Sequence, residues 1–287
     1  MSTNTLSDYT YRRKYAQSML AKQLLTSTVA FDILKVDSSN SKLISSPFLV
    51  GSTPSMGALS GTYSVGSFTS TDDQLTVNKE IVNSTHIHDF EERLSEFNLM
   101  ADVIENLTRD NKVLVDKWAL NSLCGAAGST YSTAAGGFTT GALTLKIFTD
   151  LVASVSGYEQ AVDGKLFIVL ENTEMGGVLN AGATNGFTVA DKVLYTGRVK
   201  NFLGVDIYPV RAGTFVSATV GGDVFTNAAK RVFGVKGMAT IAMPRDVMYE
   251  EKGVSGKTGK EVVVYGYTGF KLWTPTAALV TRITVTP

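Results

Sequence analysis

The chain has 287 residues, 44% hydrophobic and only 18% charged, enough to bury one sizeable core or two modest ones but sparse in charge for a solvated monomer. Lys plus Arg and Asp plus Glu both number 26, so the net charge is zero, which argues against tight direct DNA binding and leaves little long-range repulsion to oppose self-association. Neither a signal peptide's apolar core nor the roughly 20 apolar residues of a membrane span occurs, and the lone Cys124 excludes an intrachain disulfide. We therefore expect a soluble product of a reducing cytosol, with Cys124 as a small buried hydrophobe.

Residues 8 to 30 place Tyr11, Tyr15, Met19 (or Ser18), Lys22 and Leu25 at helical spacing, with Arg12, Arg13 and Lys14 clustered near the start, the pattern of a short amphipathic arm. From Ser38 to Thr71 the composition turns to Ser, Gly, Thr and Pro interleaved with Phe48, Leu49, Val50, Met56, Leu59, Tyr63, Val65 and Phe68, and no charge lies between Lys42 and Asp72. Exposed strand edges are normally guarded by charge, so this reads as a long hairpin covered in a finished assembly rather than a flexible linker, which would be poor in aromatics. A strand from Leu75 to Asn83 follows, and Asp89 with Glu92 has the spacing of a capping pair. Met100, Val103, Ile104, Leu107, Leu114, Trp118 and Leu123 then recur at helical intervals. That helix, Leu99 to Cys124, ends at the glycines from Gly125.

The second half mixes elements. Leu143 to Val155 reads as helix, Leu166 to Leu170 as a buried strand, and Lys192 to Val210 as two strands around Gly197 and Gly204. Met238 to Met243, Val262 to Tyr267, Phe270 to Trp273 and Leu279 to Val285 are β-rich, and Glu250 to Glu261 reads as a charged, Gly-rich hairpin tip. The expected class is α+β, not the strict alternation of a doubly wound sheet.

Three stretches taken in order carry a resemblance over nearly the whole chain: Leu75 to Glu80 leading into Leu99 to Leu123 with Asp116, Gly197 to Tyr208, and Gly269 to Ala277. Together they resemble the tailed-bacteriophage major capsid proteins of HK-ninety-seven-like fold. The resemblance implies an N-terminal arm over 1–41, an extended β-hairpin loop and its following strand over 42–84, a peripheral domain with a long spine helix and a hairpin over 85–127 and 241–266, and a mixed axial domain over 128–240 and 267–287. It implies no enzymatic activity and no cofactor. It also implies a subunit that assembles with itself as hexamers and pentamers into an icosahedral capsid of the virion, built in the bacterial host cytoplasm. Further partners would be a separate scaffolding protein, a portal, optionally a cement protein, and packaged double-stranded DNA touched by weak, nonspecific contacts that salt abolishes.

Under that resemblance, Phe48, Leu49, Met56, Leu59, Tyr63, Val65 and Phe68 of the loop would lie over a neighbouring copy, and Glu250, Glu251, Lys252, Lys257 and Lys260 would meet like tips where capsomers join. Some family members crosslink a loop lysine to a neighbour, but no lysine lies between Lys42 and Lys79, so no such crosslink is expected. Others carry a cleaved N-terminal scaffolding region; only some 35 to 40 residues precede the loop here, so either a separate scaffold guides assembly or the chain is already processed, and Met1 at the start favours the separate scaffold.

Several motifs carry less than they suggest. Gly256-Lys257-Thr258 has the end of a phosphate-binding loop, but Glu251 stands where its first glycine belongs. His86 and His88, two apart on a strand with Asp89 beside them, share a face as metal ligands do, yet no cysteine is near and a structural role is expected. Asp72-Asp73 and Glu91-Glu92 read as turn and helix-start charges, and the glycosylation-like triplets at Asn83 and Asn106 mean nothing in a cytosolic chain. The competing readings are a nanocompartment shell of the same fold enclosing an enzyme, a phage tail or decoration protein on a preformed lattice, and an enzyme, for which no convergent titratable cleft can be assembled.

Overall fold

In the computed structural model, residues 28–50, 69–89, 99–131, 145–158, 165–178, 201–244, 248–254, 256 and 258–284 are described. The arm helix over 8–30 falls outside them except for its last residues, as do the capping partner Glu92 and the segment 192–200. What is described begins with a short helix, Ala30–Ile33, and the strand β1 (Lys35–Asp37). Strands β2 (Leu43–Val50) and β3 (Thr69–Thr76) pair antiparallel as the stem of the expected hairpin. The strand expected from Leu75 to Asn83 is two elements, because β3 stops at Thr76 and β4 runs Lys79–Ile87.

The long helix is present and slightly longer than its periodicity suggests, Leu99–Ala126, about 42 Å at 1.5 Å per residue. Its N-terminal half is amphipathic. Its C-terminal half is buried on several sides, with Val115, Trp118, Ala119, Leu120, Leu123 and Cys124 all in the core.

That half lies on one face of a six-stranded mixed sheet ordered β5 (Ser129–Tyr131), β15 (Val280–Thr284), β11 (Lys230–Val235), β6 (Leu166–Glu171), β8 (Val205–Val210), β7 (Asn201–Phe202). The helix Leu145–Val155 covers the other face. The run Leu166 to Leu170 is apolar throughout because successive side chains serve both layers: Phe167 and Val169 join Trp118 and Leu120, while Leu166, Ile168 and Leu170 join Phe148 and Leu151. Between β7 and β8 the chain turns through Leu203 and Gly204, both at positive φ, the backbone a two-residue hairpin turn needs.

A second sheet contains β1, β12 (Ala239–Ala242), β14 (Lys260–Leu272), β13 (Met248–Gly253) and β4. Val262 to Tyr267 and Phe270 to Trp273, which read as separate β segments, are in fact one 13-residue strand. β14 pairs with β13 and β4 along its first part and with β12 at its end. Val262 and Val264 of β14 face the long helix at Leu107, and the Asn111 side-chain amide donates to the Val264 carbonyl at 3.0 Å. The small hairpin β9 (Thr219–Val220) and β10 (Asp223–Val224) completes the described strands.

Buried polar groups pin the layers together. Asn121 of the long helix donates to the Thr214 carbonyl at 2.8 Å and accepts from the Val216 N–H, and Asn227 donates to the Asn121 carbonyl at 2.9 Å. Asp223 accepts from the Trp118 indole N–H at 2.8 Å and pairs with Lys79 at 2.6 Å. The most deeply buried charges are a triad: Arg231 lies between Glu174 and Glu171, its Nε 2.8 Å from Glu174 Oε1 and its Nη2 3.0 Å from Glu171 Oε2. Glu171 also accepts the Gly213 and Phe215 N–H groups, so its lone pairs are satisfied without water.

Candidate intersubunit surfaces

Two antiparallel strand pairs carry the contact residues expected from the sequence that are described. The first is the β2–β3 stem, whose register sets Leu43 opposite Thr76, Phe48 opposite Thr71 and Leu49 opposite Ser70. Lys42 closes the base by accepting the Val77 N–H at 2.9 Å. Asp73, expected at a turn, is instead mid-strand and buried: it accepts the N–H and hydroxyl of Thr274, each at 2.8 Å, and pairs with Lys271 at 2.6 Å. Burial works against its charge, but these donors outweigh it and bring the carboxyl down to about 2. Asp72 remains on the outer side, accepting from Gln74 at 2.7 Å. The stem exposes apolar surface on either side of this anchor: Leu43, at the base, is 46% exposed, and Phe48, further out, is partly exposed.

The second hairpin joins β13 to β14. Glu250, Glu251, Lys252 and Lys260 lie on its strands rather than at its tip as expected, because pairing runs outward to Gly253 opposite Lys260. The turn closes between Gly253 and Lys260. These charges pair within the chain, Lys252 with Glu250 at 3.2 Å and Lys260 with Glu251 at 3.1 Å, all well exposed and so individually weak. The Tyr249 hydroxyl also donates to Glu251. Thr258 and His88 Nε2, 2.6 Å apart, tie the turn to the end of β4, and Gly259, at φ +114°, passes so close to the Ile87 carbonyl that no side chain fits there.

This assembly of parts recurs in known structures. No sequence-family model matches the chain, and neither does any curated relative. Among solved structures, the capsid of cyanophage P-SCSP1u is similar with a TM-score of 0.67 and 15% identity, covering 91% of this chain and 89% of that one. The bacteriophage PhiM1 mature capsid gives 0.69 at 11% identity over 91% and 88%, and the capsid of an empty GTA particle 0.64 at 14% over 92% and 91%. The chain has the tailed-phage capsid fold.

Within the capsid fold, the residues expected to touch other copies separate by location. Phe48, Leu49, Glu250, Glu251, Lys252 and Lys260 lie on the two hairpin stems, whereas Met56, Leu59, Tyr63, Val65, Phe68 and Lys257 lie outside the described residues. Gly256 sits at φ +78° in the turn between two strands, so no helix follows to receive a phosphate. The His86 and His88 rings stand edge to face, 6.4 Å apart, with Glu261 opposite His86 in register. Among the described residues no three His, Cys, Asp or Glu side chains converge as metal ligands, and no described helix is long and apolar enough to cross a membrane. Cys124 is fully buried, as its composition context suggested, and burial pushes its thiol up to about 12. Two features escaped the sequence reading: the Asp73 anchor, which makes the loop base part of the body, and the Arg231 triad, whose members are 57 and 60 residues apart.

Proposed function

We propose that this chain is a structural subunit of an icosahedral phage capsid, assembling with itself as hexamers and pentamers around double-stranded DNA, and is not an enzyme. The observation that carries this reading is the likeness to phage capsid structures over about nine-tenths of both chains. The domain plan follows: an arm over 1–41, an extended loop and following strand over 42–84, a peripheral domain over 85–127 and 241–266, and an axial domain over 128–240 and 267–287. The loop, with Phe48, Leu49, Met56, Leu59, Tyr63, Val65 and Phe68, lies over a neighbouring copy, which accounts for its lack of charge. Glu250, Glu251, Lys252, Lys257 and Lys260 face other capsomers, where weak contacts gain effect by repetition. Assembly takes place in the host cytoplasm with a separate scaffold and a portal, and a cement protein is compatible with the same lattice.

The test is expression of the full chain, alone and with candidate scaffolding proteins, followed by negative-stain electron microscopy. Closed shells or hexameric and pentameric rings are expected. A persistent compact monomer under both conditions refutes the reading in favour of an accessory protein, and shells that copurify with a cargo enzyme instead of DNA identify a nanocompartment.

A further inference from the structure

The point where the N-terminal segment joins the body is held by a carboxyl group in an unusual setting. Asp116 lies on the long helix, 7% exposed, and accepts the Ala30 N–H at 2.6 Å. Around it, Val29, Ala30, Ile33 and Leu34 are buried in the same core cluster as Val115 and Ala119. The Ile33 carbonyl accepts the Gly237 N–H and the Asp37 carbonyl the Met243 N–H, each at 2.8 Å, and between them Lys35–Asp37 pair in parallel with β12. One charged group of the short helix, Asp32, acts on Asp116, and its sign opposes ionisation. Lys117 of the same long helix and Arg211 of the loop after β8 line, with Asp116, a cavity of about 300 Å³, which gives the carboxyl a route for exchanging protons with solvent.

We propose that Asp116 is a proton-dependent latch on the root of the N-terminal segment: uncharged, it clamps residues 28–37 to the long helix, and charged, it loosens them. An uncharged carboxyl still accepts the Ala30 N–H through its carbonyl oxygen, while loss of the charge removes both the cost of burying it and the repulsion from Asp32. Burial is the largest influence and pushes the group up to about 6 from 3.8, against the pull of the Ala30 and Val29 N–H groups. The sign follows. The closed segment binds the proton more tightly than the open one, so closure is firmest in acid and weakens as pH rises through about 6. Neutral pH is therefore the releasing condition. The latch belongs to the single chain and stands whether or not that chain builds a shell.

Hydrogen–deuterium exchange of the full-length chain, corrected for intrinsic rates, tests it. Protection of peptides spanning 28–37 should fall about tenfold between about pH 5 and pH 7.5, while the buried strand Leu166–Glu171 stays constant. Asp116→Asn should hold protection high at both pH values, and Asp32→Asn, an exposed change, should shrink the fall. A flat wild-type profile overturns the latch. So does a fall shared by the control strand, or one that survives Asp116→Asn.

Discussion

The Asp73 carboxylate and the Lys271 ammonium stand 2.6 Å apart, joining the stem of the extended hairpin to the far end of the longest strand. Thr274, three residues beyond, adds two donors to the other carboxylate oxygen, Oδ2. Asp73→Ala therefore strands a half-buried ammonium and a backbone N–H together. We expect a loss of about 1–3 kcal/mol in chemical denaturation. The pH dependence has a definite sign: a carboxyl held down at about 2 contributes stability that is full above its ordinary value near 3.8 and is lost as pH falls through about 2. Wild type should lose stability in that window, and the variant should lose less.

Arg231→Met tests the buried triad. Removal of the guanidinium leaves Glu171 and Glu174 facing each other without a cation, and breaking such a pair costs about 3–5 kcal/mol. Thermal unfolding should show the drop, and adding Glu171→Gln and Glu174→Gln to the variant should recover part of it, because the uncompensated charges are then gone.

Much of the architecture could be read from the residues because it rests on local rules. The helix from Leu99 repeats apolar side chains at the right interval, and the run Leu166 to Leu170 is apolar because both faces of its sheet are covered. The errors have equally physical origins. The break between Tyr267 and Phe270 makes β14 look like two strands, yet Gly269 in that break is there because a Cβ would come within 2.5 Å of the Thr76 carbonyl oxygen. Asp73 looked like a turn residue because nothing near it in sequence announces Lys271. Periodicity reports which face is buried; it does not report which distant charge waits there. The contact residues of the loop were chosen by their lack of charge, and that signal speaks of cover without naming what covers them.

Gly259→Ala tests the seating of the β13–β14 turn. With φ at +114° and the Ile87 carbonyl against it, an added methyl both strains the backbone and pushes the turn off β4. A cost of about 1–3 kcal/mol is expected, with faster proteolysis confined to that turn. Gly237→Ala, also at positive φ but with nothing within 4 Å, separates the two effects and should cost less.

Cys124 should behave as an inert thiol. With its thiol pushed up to about 12 by burial, almost none is thiolate at neutral pH. A thiol-reactive dye should label the folded chain negligibly and label it fully in denaturant, so the labelling rate serves as a clock for opening of the core.

β14 is about 43 Å of extended chain at 3.3 Å per residue, and it has the charged hairpin at one end and the anchor of the extended loop at the other. A push delivered to one hairpin therefore reaches the base of the other along a single covalent rod, resisted in shear by the backbone ladder with β4. A load applied at either end of this strand is therefore expected to be felt at the other, as at opposite ends of one beam.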